Sequence, residues 1–440
     1  MDAAGRTFLF LQGPHGPFFA ELAQALAGSG GRVLRVGFNR GDAAEWHDRA
    51  SYVAFTASIE AWPGFLAALI ARERVTDLVL YGDTRACHAV ARALARSLGL
   101  TVHCFEEGYL RPWWITYERG GVNGHSRLMD LNIADMRAAI RGLEPGQDAA
   151  PAHWGAVMAH AWLGMLYHFH VLCLNRRYPS FRTHRRPGVA RELILNMRKL
   201  ALRPFLSLRS RQQQRRLERR GMAYHLVLLQ LPHDSAMLHH SPFRSVASFM
   251  EFCLDAFMAG ADPGEHLVFK THPFDDGREP IERIARRLAR ERGIGARVQV
   301  IQAGRLGPLL DGARSVVTVN STAGQQALWR GLPVSVLGAS VYGKPELVSD
   351  QPLAAFFAAP RPPDAAAYRD YRRFLLATSQ VRGGFYTAEG RASAVPRLIT
   401  AMLDRCDPYD RLLGSRELVR EDFAAALVHR PRALGLQALP

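Results

Sequence analysis

Cysteine is scarce in this sequence, and none of it is paired for chemistry. Five residues in 440 (Cys87, Cys104, Cys173, Cys253 and Cys406) stand far apart with no CxxC. That spacing excludes a disulfide framework and a thiolate metal site, and it fits a reducing compartment. Cys87 and Cys104 are expected simply to pack in a core. Acidic residues are also short, 40 Asp and Glu against 56 Lys and Arg, so the formal charge is +16. The amino terminus carries Asp2 and Arg6 in place of a basic patch and a long apolar run, so no signal peptide is expected. Long apolar runs are missing elsewhere too. Trp154–Leu174 approaches bilayer length but contains His160, His168 and His170. It reads as a largely buried helix, with lipid contact the lesser reading.

What is present is the makeup of a globular α/β protein. The apolar fraction is 48% and the charged fraction 22%, and the length allows two or three domains with full cores. Short apolar runs alternate with helical stretches through the first half. Thr7–Gln12, Arg32–Phe38, Asp77–Tyr81 and Thr101–Phe105 read as strands, with helices at Phe18–Leu26 and Arg85–Leu98. The alternation lapses near Arg137 and resumes with Tyr224–Gln230, His266–Lys270, Arg297–Ile301, Ser315–Val319 and Pro333–Leu337 as strands. Helices are expected between them at Phe249–Met258, Ile281–Arg292 and Gly324–Arg330. Parallel sheets with helices on their faces follow from such βαβ repetition. The expected architecture is GT-B-like, two Rossmann-like domains facing a central cleft. Residues 1–220 would form an acceptor-side domain with a basic helical connection, and 221–395 a donor-binding domain. Residues 396–440 would be a helical segment packing back.

The connection holds most of the charge. Arg176–Arg220 contains fourteen Arg and one Lys against Glu192 and Glu218, an excess of thirteen in about a tenth of the chain. Such a run is a solvated helix face, a contact for anionic lipid head groups, or a nucleic-acid site. It shows little aromatic interleaving and no RNP-like or zinc-finger pattern, which argues against nucleic acid.

Candidate chemistry sits at strand ends, where open α/β sheets bind ligands. Cys104–Pro112, CFEEGYLRP, ends a strand with adjacent carboxylates, Glu106 and Glu107, before Gly108 breaks it. Neighbouring strand residues face opposite ways, so only one of the two should reach a ligand while the other anchors the turn through Arg111. Gly13-Pro14-His15-Gly16-Pro17 follows the first strand and keeps side chains small near the backbone. It does not match GxGxxG, so it is no dinucleotide fingerprint. In the second half, Lys270 and His272-Pro273 close a strand, and on a continued strand the two side chains would share a face. Asn320-Ser321-Thr322-Ala323-Gly324 joins a strand to a helix, a place for an N-cap or an anion. Gln230 leads to Asp234-Ser235, an acid at the first strand end of that half. No DxD pair or His/Asp cluster of ligand spacing lies near these residues, so no cofactor and no metal are expected.

The ordered set resembles the KpsS/LipB-type capsular polysaccharide proteins. The matching segments are Leu11-Gln12-Gly13-Pro14 with Gly16-Pro17-Phe18-Phe19, Phe38-Asn39 with Gly41-Asp42, and Glu106 through Pro112. Gly121-Val122-Asn123-Gly124, Tyr178-Pro179, Gln230 with Asp234-Ser235, His272-Pro273 and Asn320 through Gly324 complete the series. The resemblance implies a GT-B fold, CMP-Kdo as donor substrate, and retaining β-Kdo transfer to a lyso-phosphatidylglycerol acceptor. One module's length favours initiation of the capsular linker over its extension. The implied setting is the inner face of the cytoplasmic membrane, beside other capsule biosynthesis and ABC export proteins. Ala236 departs from the polar residue often found after Asp-Ser in the family, which leaves that contact open. On chemical grounds Asp234 is expected as nucleophile, Glu106 or Glu107 as base, and Lys270, His272, Ser321 and Thr322 as donor-phosphate partners. A transferase for another CMP- or nucleotide-sugar, or a non-catalytic export scaffold, are the competing readings.

Overall fold

Unbroken apolar runs become buried parallel strands, since helices cover both faces of such a sheet. The computed structural model describes residues 2–144, 157–181, 188–232, 237 and 240–414. Six strands open the chain: β1 (Thr7–Phe10), β2 (Arg32–Gly37), β3 (Tyr52–Ala54), β4 (Asp77–Tyr81), β5 (Thr101–Glu107) and β6 (Trp114–Arg119). Five more follow: β7 (Tyr224–Leu228), β8 (His266–Lys270), β9 (Val298–Ile301), β10 (Ser315–Thr318) and β11 (Val334–Val336). The last, β12 (Gln380–Arg382), returns to the first sheet. Helices up to residue 219 are α1 (Phe18–Gly28), α2 (Arg40–Ala44), α3 (Trp62–Glu73), α4 (Ala86–Leu98), α5 (Ile133–Ala139), α6 (Val157–Cys173) and α7 (Val189–Arg219).

Two units result. The first takes the described residues of Met1–Arg127, Ala139–Leu193 and Arg373–Glu417; the second takes those of Leu128–Ala138 and Ile194–Arg372. The expected segments 1–220, 221–395 and 396–440 divide the chain differently. The reason is pairing: β12 lies antiparallel on β6, with Val381 opposite Ile115. The helix Ala388–Leu403 then packs with α1, where Arg391 Nε donates to both Glu21 carboxylate oxygens at 2.9 Å. Residues 373–395 therefore belong to the first unit. Helices Ala388–Leu403 and Pro408–Leu413 are the described part of the expected helical segment; residues 415–440 lie outside the described residues.

The first sheet has the order β12-β6-β5-β4-β1-β2-β3, parallel from β3 to β5 and antiparallel at β6 and β12. Alternation along β1 divides its core. Phe8 and Phe10 join Phe18, Phe19 and Phe105 on the α1 face; Leu9 and Leu11 join Trp62, Leu66, Leu78 and Leu80 on the α3 and α4 face. The second sheet is fully parallel, β11-β10-β7-β8-β9. In each sheet the chain winds first to one side of its opening strand and then to the other. The reversal falls between β1 and β4 in one and between β7 and β10 in the other. Crevices at the carboxyl ends of those strand pairs are where such sheets take ligands.

The opposite edges are pinned by buried histidines. In the first unit His103 sits between Asp77 Oδ1 (2.9 Å) and the Tyr117 hydroxyl (2.7 Å), and Arg6 Nε donates to Asp77 Oδ2 at 3.1 Å. His225 in the second lies between Glu265 Oε2 (3.1 Å) and Ser315 Oγ (2.7 Å). Burial alone would raise the Asp77 carboxyl, but hydrogen bonds from His103 and Arg6 outweigh it and hold it below the ordinary range. The stabilisation is thus complete above the ordinary carboxylate pKa, about 3.9, and disappears as pH falls through the lower folded value. Asp77→Ala strands a buried histidine and an arginine, and should cost about 3–5 kcal/mol at pH 7. Urea unfolding reads it; a shift below about 1 kcal/mol would mean the three groups are not coupled.

One helix departs from expectation. Trp154–Leu174 was expected as a largely buried helix; α6 instead buries only one side. Its outward side, Met158, Trp162, Met165, Leu166, Phe169 and Leu172, is exposed. An all-round apolar sequence reads as core because hydropathy carries no phase here.

Candidate functional site

In the first unit the carboxylates stand where the strand pattern put them, as the last two residues of β5. Their side chains leave opposite faces and find different company. Glu106 Oε1 accepts the Glu107 backbone N–H at 3.0 Å, and Oε2 accepts Asn123 Nδ2 at 3.4 Å. Asn123 has φ +54 and its N–H donates to the Tyr109 hydroxyl at 2.7 Å. Both Glu106 oxygens are therefore tied into the local fold. Glu107 differs. Its Oε1 accepts hydroxyls from Tyr386 (2.9 Å) and Tyr81 (3.4 Å), and Oε2 has no partner among the described residues. Burial and the neighbouring Glu107 charge push both phenols well above their ordinary range, so they remain donors. Such an arrangement fixes one oxygen and leaves the other open for a proton. Arg111 anchors neither carboxylate among the described residues; its Nε donates to the Gly108 carbonyl at 3.3 Å.

The Gly13–Pro17 loop packs closely against its own unit. A Cβ on Gly13 would lie 2.7 Å from the Phe19 ring, and one on Gly16, with φ +101, would lie 2.8 Å from Leu163 of α6. The space is filled by protein, and Pro14 is buried as well. Gly41 is similar, since a Cβ there would meet the Tyr167 ring at 2.5 Å. Tyr167 in turn donates to Asp42 Oδ1 (3.1 Å), accepts Asn39 Nδ2 (2.7 Å), and packs its ring 4.4 Å from His15. These motif residues build a seat for α6. On that same inner side His160 stacks flat on Tyr386, centroids 4.1 Å apart at 4°. Beneath the seat, Arg35 is buried with Asp42 and Glu45 at 3.7 and 3.9 Å. Burial pushes the Glu45 carboxyl up to about 8 despite Arg35 and the Gly16 N–H, which donates to it at 2.7 Å.

In the second unit, Gln230 and Asn320 meet across the β7–β10 reversal. Gln230 Nε2 donates to Asn320 Oδ1 at 2.7 Å, and the Asn320 N–H returns to Gln230 Oε1 at 3.2 Å. Asn320 Nδ2 also reaches the His240 carbonyl at 3.0 Å. Ser321 Oγ accepts the Ala323 N–H at 3.2 Å just ahead of the six-residue helix Gly324–Trp329. The Thr322 hydroxyl has no partner among the described residues. Gly324 is small because the Tyr342 hydroxyl would lie 2.3 Å from a Cβ there; that hydroxyl donates to the Ser321 carbonyl. Lys270 ends β8, buried, with Nζ on the Thr271 carbonyl at 2.9 Å. Burial, then nearby Lys199, pushes its ammonium down to about 8. The strand stops there, so the expectation that Lys270 and His272 share a strand face fails. His272 turns back instead, its Nδ1 accepting the Phe274 N–H at 3.1 Å, while the Pro273 carbonyl takes Lys199 Nζ. Asp234 and Ser235 lie outside the described residues.

Sequence reasoning missed Tyr81, Tyr386, His160, Asp83 and His125. Asp83 Oδ2 takes the Val122 N–H (3.1 Å) and faces His125 Nδ1 (3.0 Å) two residues beyond β4. Its position after Gly82 at a strand end was the one available signal. Tyr386 and His160 are brought to Glu107 only by folding.

The family model "Capsule polysaccharide biosynthesis protein" matches residues 76–386. The chain belongs to that family. It is 30% identical over 390 residues to the capsule polysaccharide export protein KpsS of Escherichia coli, spanning 87% of this chain and 97% of that one. The capsule polysaccharide modification protein LipB of Neisseria meningitidis serogroup B is equally similar, 30% over 390 residues, 87% and 92% covered. Among solved structures, the Thermosulfurimonas dismutans KpsC β-Kdo 2,7 transferase aligns over 90% of this chain and 98% of its own at 12% identity, TM-score 0.41, too loose to bear on fold or chemistry. The resemblance first drawn from the motif series is the family found. Residues 76–386 include both carboxylates, Gln230, Asn320 and Tyr386.

Proposed function

We propose that the chain is a retaining glycosyltransferase that moves β-Kdo from CMP-Kdo to lyso-phosphatidylglycerol, starting the capsular linker. Membership of a capsule biosynthesis family supports the pathway. The observation that carries the reading is the half-tethered carboxylate of Glu107, one oxygen held by two hydroxyl donors and the other open. A scaffold that only carries polymer has no use for a base so held.

The chemistry follows from the need for retention. Asp234 attacks the anomeric carbon and CMP departs, leaving a glycosyl ester. The acceptor hydroxyl then gives its proton to Glu107 and displaces Asp234 as a free carboxylate, and loss of that proton from Glu107 to water restores the enzyme. CMP needs charge neutralisation more than a strong acid, and Lys270, His272, Ser321 and Thr322 are assigned to it. Glu106 is assigned to the turn. The basic run Arg176–Arg220 would hold the enzyme at the anionic inner leaflet, each cation near the surface contributing about 1 kcal/mol.

Mass spectrometry of products from CMP-Kdo and lyso-phosphatidylglycerol tests the whole reading. A product lacking Kdo, or Kdo transfer only from another donor, would replace it with the broader nucleotide-sugar class. Lys270 supplies a finer test. It is cationic below about 8 and neutral above, so donor affinity should fall as pH climbs from 7 to 9. Lys270→Met should weaken donor binding about tenfold or more at pH 7 and abolish that pH dependence. A pH-independent donor KM in the unaltered protein would remove Lys270 from the phosphate site.

A further inference from the structure

The helix α6 is seated on one side and bare on the other. Inward it sets Leu163 against Gly16, Tyr167 against Gly41 and His160 on Tyr386. Outward it presents Met158 (65% exposed), Trp162 (61%), Met165, Leu166, Phe169 (51%) and Leu172. Positions 158, 162, 165, 169 and 172 repeat at three and four, so they form one stripe along the helix. No Asp, Glu, Lys or Arg occurs in Val157–Cys173. Exposed apolar stripes of this size mark a binding surface.

We infer that this stripe is an interfacial docking face for an anionic phospholipid bilayer. Three observations favour lipid over protein. Charge is arranged as a membrane requires: just after α6, exposed Arg176 and Arg177 open the run to Arg220 that holds thirteen excess positive charges. The outward residues are flexible Met and Leu with two large aromatics, one of them an indole suited to the head-group level. Finally, the seventeen described residues of the helix span about 25 Å, short of a hydrocarbon core of about 30 Å, a length that suits lying in the interface better than crossing it. No described helix is long and apolar enough to cross a membrane. The inference deepens the reading of a lipid acceptor by naming the face that meets the lipid, and it rests on that reading for its purpose only.

Flotation of the full chain with phosphatidylglycerol–phosphatidylethanolamine vesicles tests it. Trp162→Glu with Phe169→Glu should weaken vesicle binding at least tenfold at unchanged melting temperature, since both side chains are exposed. In the unaltered protein, brominated lipid should quench tryptophan emission, and Trp162→Phe should remove most of that quench. A wild-type protein that stays with the soluble fraction, or a double variant that floats like wild type, overturns the proposal. So does a wild-type dimer, by light scattering, that the double variant dissociates while vesicle binding persists; the stripe would then be covered by a second copy. Transfer to a short-chain, water-soluble lyso-phosphatidylglycerol should be equal in both forms. If neither form transfers to any acceptor, yet only the variant loses vesicles, the transferase reading falls and the docking face stands.

Discussion

Glu107→Gln is expected to lower transfer to the acceptor by about 10²–10⁴-fold, the range of a general base, with the melting temperature unchanged. The amide keeps the shape and can still accept the Tyr386 hydroxyl at Oε1, but it cannot take a proton. Glu106→Gln, on the same strand, provides the contrast. Its oxygens serve a backbone N–H and Asn123, so its loss should appear in stability and only weakly in the rate. Tyr386→Phe removes the 2.9 Å donor and should lower kcat about ten- to hundredfold with little change in donor KM, on the scale of one lost hydrogen bond to a charged group. A Glu106→Gln enzyme that is dead beside an active Glu107→Gln enzyme would exchange the two roles.

Asp234→Ala should leave no measurable transfer, a loss of roughly 10⁴-fold or more for a deleted nucleophile. The two substitutions together report the order of events. With Glu107→Gln the first displacement is intact and the second is slow, so the glycosyl ester should accumulate on Asp234. Intact-protein mass spectrometry after CMP-Kdo exposure should show one added sugar in Glu107→Gln and none in the double variant with Asp234→Ala. Absence of the adduct in Glu107→Gln, with CMP released at the wild-type burst, would rule out the covalent route.

Much of this was legible in the chain because buried parallel strands cannot hide. Asp77–Tyr81 and His266–Lys270 are readable to the residue, being unbroken apolar runs between breakers. The strand ends then located Glu106, Glu107, Gln230 and Asn320, and folding joins the last two by hydrogen bonds. Strands with mixed sequence were harder. WITYER of β6 and QVR of β12 owe their conformation to antiparallel partners, one of them more than 260 residues distant. That pairing also moved the unit boundary. The glycines were located but not what they lie against, because a small residue beside a ligand and one beside a phenyl ring look alike in sequence. Tyr386 could not be foreseen: it lies 279 residues from Glu107, and a lone tyrosine announces nothing.

The glycine at position 41 has a reach well beyond its size. One methyl group there would press on the Tyr167 ring and lift the helix that carries it. His160, two turns away on that helix, would slide off the Tyr386 face, and the phenol would lose its bearing on the carboxylate. A substitution that looks like a packing defect at the rim of α2 would therefore be felt as a mis-aimed proton acceptor. Variants at such positions are best assayed for turnover before they are set aside as merely unstable.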